Sequence, residues 1–334
     1  MRLDEFDYDL PEELIAQSPL DDRSASRLLV LNKATGEIQH KTFREIAKLL
    51  LPGDLLVMND TRVTALRLFG ERPTGGKVEA LILSEQDGRY EALMKPGKKM
   101  RRGETVQFEG GLSATVVDDL GAGKKLIEFA QDDAAERLLQ AGRTPLPPYV
   151  HTELQDPERY QTVYAKTAGS AAAPTAGLHF TDELLHELRS NGVETATVTL
   201  DVSIDTFRPV STDDIADHVM HGERCAVPKE TAKKVADAKG RIVAVGTTTA
   251  RTLETFATGP RKVEPGETVS MVFITPGHEF LAVDAMLTNF HMPRTTMLMM
   301  VSALASRDNV MRAYERAVAA RYRFLSFGDS MMIL

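Results

Sequence analysis

Residues 63–130, VTALRLFGERPTGGKVEALILSEQDGRYEALMKPGKKMRRGETVQFEGGLSATVVDDLGAGKKLIEFA, decide how the chain is divided. Apolar and polar residues alternate through VTALRLFGER, KVEALILSE, RYEALMK, ETVQFEG, LSATVVDDL and KKLIEFA, with PTGG, QDG, KPGKKMRRG, GG and GAG between them. Alternation at period two marks strands with one buried face, and the Gly, Pro and Asp of the breaks mark turns. Six short strands with no intervening helix predict a small antiparallel barrel. On its N-terminal side lie a short helix (PEELIAQ), a hairpin (RLLVLNKATGEIQHKTF), a helix stopping before LPG and a buried strand (DLLVMND). On its C-terminal side, after the helix DDAAERLLQAG and the Pro-rich TPLPPYV, helices and strands alternate to the end. The strands there include ETATVTLDV, RIVAVG and ETVSMVFI, and the helices include KETAKKVADAKG, TTTARTLETFA and DNVMRAYERAVAARYR. The spacing predicts an α/β fold with a discontinuous main domain, residues 1–60 with 146–334, and a six-stranded barrel domain inserted at 61–145.

The chain has 334 residues, 43% of them hydrophobic, enough for a core in each of two domains. A single cysteine, Cys225, excludes an intrachain disulfide and cysteine-clustered zinc or iron–sulfur sites. The start, MRLDEFDYDLPEELIAQ, has no apolar signal core, and MLMMVSALA is too short to span a bilayer. A cytoplasmic, membrane-free monomer is expected. The net charge of −8 argues against indiscriminate binding of polyanions. Against that background, KPGKKMRR gathers Lys95, Lys98, Lys99, Arg101 and Arg102 around a Pro-Gly turn, either to face a nucleic-acid backbone or as a solvated loop.

Several polar groupings could carry chemistry. In PTAGLHFTDELL (174–185), Thr181 caps a helix whose first turn is acidic, and His179 stands just before that helix. The positive end of the helix dipole favours a neutral imidazole able to take a proton, although closing the loop by hydrogen bonding would use the ring equally well. RIVAVGTTTARTLETF runs from a strand through Gly246 into Thr247, Thr248 and a helix bearing Arg251. Such a turn can hold an anionic or polar group, yet it lacks the lysine of a phosphate loop and the spacing of a dinucleotide fingerprint. HVMHGERC offers His218, His221 and Glu223 before Cys225, without the HExxH order of a zinc enzyme, so shared protons are expected there and no metal. VDAMLTNFHMP places Asp284, Asn289 and His291 within an apolar run, YRFLSFGDSM ends in Asp329, and VMNDTRV carries Asn59, Asp60, Thr61 and Arg62. Polar residues in such settings either satisfy one another or await a ligand.

Together, LVMNDTRV, TGGKVE, KPGK, PLPPY, RYQTVYA, GSAAAPTAGLHFT, TFRPV, HVMHGE, AVGTTTARTLE, VDAMLTNFHMP and YRFLSFGDSM span almost the whole chain. In that order they resemble the S-adenosylmethionine:tRNA ribosyltransferase-isomerase family of queuosine synthesis. The resemblance implies an α/β domain with an inserted barrel and an enzyme that consumes S-adenosylmethionine as ribosyl donor, with no other cofactor. It implies transfer to the aminomethyl group of a 7-deazaguanine at the tRNA wobble position. Rearrangement there gives the epoxycyclopentane of epoxyqueuosine, with release of adenine and methionine. His179 is then the first choice of base for the ribose C5′ hydrogen, with His218, His221 and Glu223 handling protons or adenine. Asp60, Arg62, Thr175, Gly177, Gly246, Thr247, Thr248, Arg251, Asp284, Asn289, His291 and Asp329 are expected to bind substrate, and Lys95, Lys98, Lys99, Arg101 and Arg102 to contact tRNA. One block departs from the family: TLDVSIDTF has Asp201, Ser203 and Asp205 where a histidine and two glycines are usual. A methyltransferase reading fails for want of a Gly-rich loop after DLLVMND. A non-catalytic RNA-binding protein remains the alternative, one that leaves the histidine blocks without work.

Overall fold

The computed structural model describes residues 1–203, 210 and 212–334. Two compact units result: one comprises Met1–Thr61, Pro147–Thr167 and Ala173–Leu334, the other Arg62–Leu146 with Ala168–Ala172.

The smaller unit is a closed barrel of Lys124–Phe129, Arg89–Lys95, Lys77–Gln86, Leu66–Glu71, Thr105–Phe108 and Leu112–Gly121, in that neighbour order. Every pairing is antiparallel. Burial alternates along Arg89–Lys95 and Lys124–Phe129, so Tyr90, Ala92 and Met94 from one strand meet Ile127 and Phe129 from another in the interior. All six strand-like segments of the sequence are therefore strands, because each has one apolar face and only closure covers all six. Ala134–Ala141 follows as a helix whose buried Ala134 and Leu138 pack on that cluster.

The larger unit is built on a nine-stranded sheet. Its order is Gly266–Ser270, Glu223–Val227, Glu194–Leu200, Leu55–Asn59, Ile242–Val245, Ala285–Asn289, Ser330–Ile333, Arg27–Leu31 and Ile38–Thr42. Glu194–Leu200, Leu55–Asn59, Ile242–Val245 and Ala285–Asn289 run parallel, and Ser330–Ile333 returns antiparallel beside them. The three inner parallel strands are buried throughout because helices cover both faces, which is why they read as unbroken apolar runs. Leu55 and Val57 face a cluster with Leu253, Leu298 and Val310, whereas Leu56 and Met58 face Phe43, Phe180 and Leu184.

Some local expectations shorten. PEELIAQ forms only a single 3-10 turn, Glu12–Leu14, since Pro11 supplies its N-cap without a side-chain acceptor for the free N–H groups. The strand in ETVSMVFI stops at Ser270. A small hairpin, Ala257–Gly259 with Lys262–Val263, lacks enough alternating residues to be read from sequence.

Candidate functional site

The carboxyl ends of parallel strands are where open α/β sheets take ligands, because each strand there gives way to a loop or a helix start. Here those ends are Asn59, Leu200, Val245 and Asn289. Asn59 ties two of them: its Nδ2 donates to the Leu200 carbonyl at 3.0 Å and its Oδ1 accepts the Leu200 N–H at 3.0 Å. After Val245 the chain turns at Gly246, whose φ of +86° is open to glycine and strained for other residues, and Thr247–Phe256 begins as a helix. Across from it Thr295 caps Thr296–Ala305 by accepting the Leu298 N–H at 3.4 Å. Two helix N-termini thus flank a cleft whose open space, continuous with solvent, is about 670 Å³. Thr175, Gly246, Thr247, Thr248, Asn289 and His291 all lie on its wall. No lysine, arginine or carboxylate does, among the described residues.

His291 is the wall's one imidazole. Its Nε2 meets the Thr288 hydroxyl at 2.9 Å, which orients the ring, and its backbone N–H donates to the Tyr314 oxygen at 3.0 Å. Burial holds its pKa down to about 3, so the ring is neutral at pH 7. Nδ1 has no partner among the described residues.

His179 is placed differently. It stacks on Phe43 at 4.9 Å, its Nδ1 is 2.8 Å from the Ser26 hydroxyl, and its Nε2 accepts from the Asn289 amide at 3.3 Å. Its pKa falls to about 3, chiefly through burial and then through Arg323 and Arg23; the helix dipole invoked from the sequence is not the leading cause. The helix itself is as expected, with Thr181 accepting the Leu184 N–H at 3.2 Å. Both nitrogens being engaged, His179 stands behind the wall and orients Asn289, whose Oδ1 in turn accepts from Thr175 at 3.4 Å.

A second cavity of about 390 Å³ shares Thr247, Thr248 and Met297 with the cleft. His221 and Glu223 line it, beside Met220 and Met300. Arg251 donates to Glu223 at 2.6 Å, to the His221 carbonyl at 3.0 Å and to the Ser270 carbonyl at 2.9 Å. The other Glu223 oxygen accepts the Ser203 N–H at 2.8 Å. With 3% and 5% exposure, Glu223 and Arg251 form a buried brace rather than a free acid and a free cation. His218 packs edge-on against Phe273 at 5.2 Å, and its pKa is lowered by burial and then by His221. Cys225 is buried in its strand, and no group of three His, Cys, Asp or Glu among the described residues is placed to hold a metal ion.

Other expected binders sit elsewhere. Asp284 accepts the Ile242 N–H at 2.9 Å and Arg261 at 2.7 Å, which pins the amino end of that strand, opposite the cleft. Asp329 accepts the Arg27 and Arg323 N–H groups, both at 2.8 Å, and is spent on that loop. A Cβ on Gly177 would lie 2.0 Å from the Tyr164 hydroxyl, so this glycine serves close packing. Asp60 accepts from the Thr199 hydroxyl at 2.7 Å. Arg62 opens the barrel unit. Asp201 takes hydrogen bonds from Thr61 and Arg224, both at 3.1 Å, while Asp205 lies outside the described residues. On the barrel Lys95, Lys98, Lys99, Arg101 and Arg102 are all exposed; Glu104, beside them, is taken by Arg72 at 2.6 Å. The cleft also uses Tyr149, Thr288, Met297 and Ser326, none of which stands out by spacing. Tyr149 and Ser326 meet at 2.7 Å, and burial pushes the Tyr149 phenol up to about 12.

A doubly covered sheet with a cleft at its strand ends, in a chain that also forms a closed barrel, has counterparts among known proteins. The family model described as queuosine biosynthesis protein matches residues 3–333, and the chain belongs to that family. The S-adenosylmethionine:tRNA ribosyltransferase-isomerase of Symbiobacterium thermophilum is 54% identical, with all of both chains covered. The protein of the same name from Staphylococcus aureus strain Newman is 50% identical, again over all of both chains. The crystal structure of the S-adenosylmethionine tRNA ribosyltransferase from Thermotoga maritima is 40% identical, covers 99% of this chain and 100% of its own, and superposes with a TM-score of 0.57.

Proposed function

We propose that the chain is an S-adenosylmethionine:tRNA ribosyltransferase-isomerase, working as a cytoplasmic monomer and needing no cofactor beyond the S-adenosylmethionine it consumes. It moves the ribosyl group to 7-aminomethyl-7-deazaguanine at the wobble position and releases adenine and methionine. One observation carries this reading at the level of the site: the 670 Å³ cleft at the strand ends excludes lysine and arginine, among the described residues, while offering a neutral imidazole. A sulfonium needs a wall without fixed positive charge, and Met292 and Met297 present polarisable sulfur to it. The methionine carboxylate is served by the helix starts at Thr247 and Thr296.

The sulfonium acidifies the C5′ hydrogens of its ribose, and the first step is transfer of one of them to a base. We assign that base to His291 Nδ1 in place of His179, because His291 lies on the cleft wall and His179 does not. In the tautomer whose Nε2–H donates to the Thr288 hydroxyl, Nδ1 keeps its lone pair. Burial alone makes an imidazolium costly in the cleft, but with a sulfonium bound the transfer keeps the net positive charge of the site unchanged. The desolvation cost therefore largely cancels. His179 positions Asn289, Glu223 with Arg251 holds the floor of the adjoining cavity, and the basic loop of the barrel contacts the tRNA backbone.

Incubation with S-adenosylmethionine and an anticodon stem-loop carrying the aminomethyl base tests this. Nucleoside mass spectrometry should find the epoxycyclopentane product and one adenine released per modification. RNA binding without adenine release would favour the non-catalytic alternative.

A further inference from the structure

A separate cavity of about 310 Å³ adjoins the cleft through Ser326, which lines both, and His179 and Ser26 form part of its wall. Arg23 and Arg159 also line it. Arg23 donates to the carbonyls of Leu178 and Glu158, both at 3.0 Å. Arg159 donates to the carbonyls of Asp21, at 3.1 Å, and Leu20. Each guanidinium is therefore held in place by neutral oxygens, which orient it without cancelling its charge. Neither makes an ion pair within 4 Å among the described residues. The nearby carboxylates are otherwise engaged: Asp22 binds Arg44 at 2.7 Å, and Asp156 accepts the Glu158 N–H at 3.0 Å. Asp156 and Glu158 attract Arg23 only from a distance, whereas Arg159 repels it; burial is the largest influence lowering the Arg23 pKa and Arg159 the next. Arg323, a third half-buried guanidinium, also acts on His179.

Two oriented, half-buried cations on one small cavity, with no counter-ion among the described residues, describe a receptor for a tetrahedral oxyanion. We propose that this cavity binds one backbone phosphate of the RNA substrate, placing it on the far side of the His179–Ser326 wall from the cleft. The proposal rests on the tRNA-modifying reading above. A chain of nucleotides that delivers its base amine to the cleft must bring phosphates to the surface next to it, and two guanidinium groups on one wall match the charge and the oxygens of a phosphodiester.

The test is Arg159→Gln, with Arg159→Lys beside it, in the full chain. Fluorescence anisotropy reads binding of the aminomethyl-bearing stem-loop across a salt series, and adenine release gives the KM for each substrate. Arg159→Gln should weaken RNA binding about tenfold and flatten the slope of log K against log salt by about 0.7–0.9, the value of one lost phosphate contact. The KM for S-adenosylmethionine should stay unchanged, and Arg159→Lys should restore most of the slope. Inorganic phosphate should compete with RNA and not with S-adenosylmethionine. Unchanged RNA binding and slope would overturn the proposal, as would phosphate competing with S-adenosylmethionine alone, which would make the cavity a small-anion site. Should Arg159→Gln fail to fold, phosphate competition in the wild-type chain decides. Because anisotropy needs no turnover, absence of adenine release from the wild type would count against the proposed activity and leave the phosphate site to be judged separately.

Discussion

Replacing Glu223 with Ala separates a brace from a catalyst. Glu223 and Arg251 are almost fully buried, at 3% and 5% exposure, and meet at 2.6 Å. The truncation leaves a guanidinium in the interior with two carbonyl acceptors and no counter-charge among the described residues, and removes the carboxylate that accepts the Ser203 N–H. Removing one partner of such a pair costs about 3–5 kcal/mol, because the remaining charge keeps its desolvation penalty. With an unfolding entropy of about 2.1 cal/mol/K per residue, a chain of 334 residues loses about 4–7 °C in Tm. Glu223→Gln with Arg251→Met removes both charges and keeps an acceptor for Ser203, so it should recover at least half of that loss. Scanning calorimetry gives the stability and adenine release the activity. If the pair only braces the floor shared with Thr247 and Thr248, activity returns with stability in the double variant. A double variant as stable as wild type and as inactive as the single one would refute the reasoning and put Glu223 back into the proton chemistry.

Three further outcomes are expected. His291→Gln should lower kcat for adenine release by about 10²- to 10⁴-fold, the usual worth of a general base, with little change in the KM for S-adenosylmethionine; activity within a factor of a few of wild type would remove it from the mechanism. His179 and His291 have folded pKa values held near 3, below the unfolded value of 6.5, so the folded chain refuses protons that the unfolded chain takes up. Their contribution to stability is full above pH 6.5 and is lost as pH falls below it, with a slope of about 1.4 kcal/mol per pH unit for each ring. Urea titrations between pH 6.5 and 5 should show it, and His291→Gln should halve it. Changing Lys98, Lys99, Arg101 and Arg102 to Glu should raise the KM for tRNA at least tenfold while leaving Tm within about 1 °C, since all four are exposed; an unchanged KM would move the RNA contact off this loop.

The barrel could be read from sequence because period-two alternation is a local signal and each strand carries its own. The parallel strands were legible as apolar runs, and Gly246 with its threonines as a strand-end turn. Their neighbour order was not, since nothing local says that Leu55–Asn59 lies between Glu194–Leu200 and Ile242–Val245. The site suffers most from this gap. His179 and His291 look alike as isolated histidines in apolar surroundings, and only tertiary packing turns Asn289 between them so that one faces the cleft and the other is spent on Ser26 and Asn289. Asp284 and Asp329 were marked because carboxylates in apolar runs need partners, and Arg261 and Arg27 are partners the sequence did not name. Tyr149, Thr288 and Ser326 carry no motif, and only the fold reveals them.

Asn59 grips Leu200, 141 positions later, and touches Thr248, 189 positions later. On a ribosome the strand holding Asn59 emerges long before either neighbour exists, while the barrel strands that follow can close among themselves. An apolar segment must therefore wait, unpaired on both edges, until Glu194–Leu200 has been made. Its shielding falls to chaperones or to transient partners, and a nascent chain stalled before residue 194 should be prone to aggregate even though its barrel has formed.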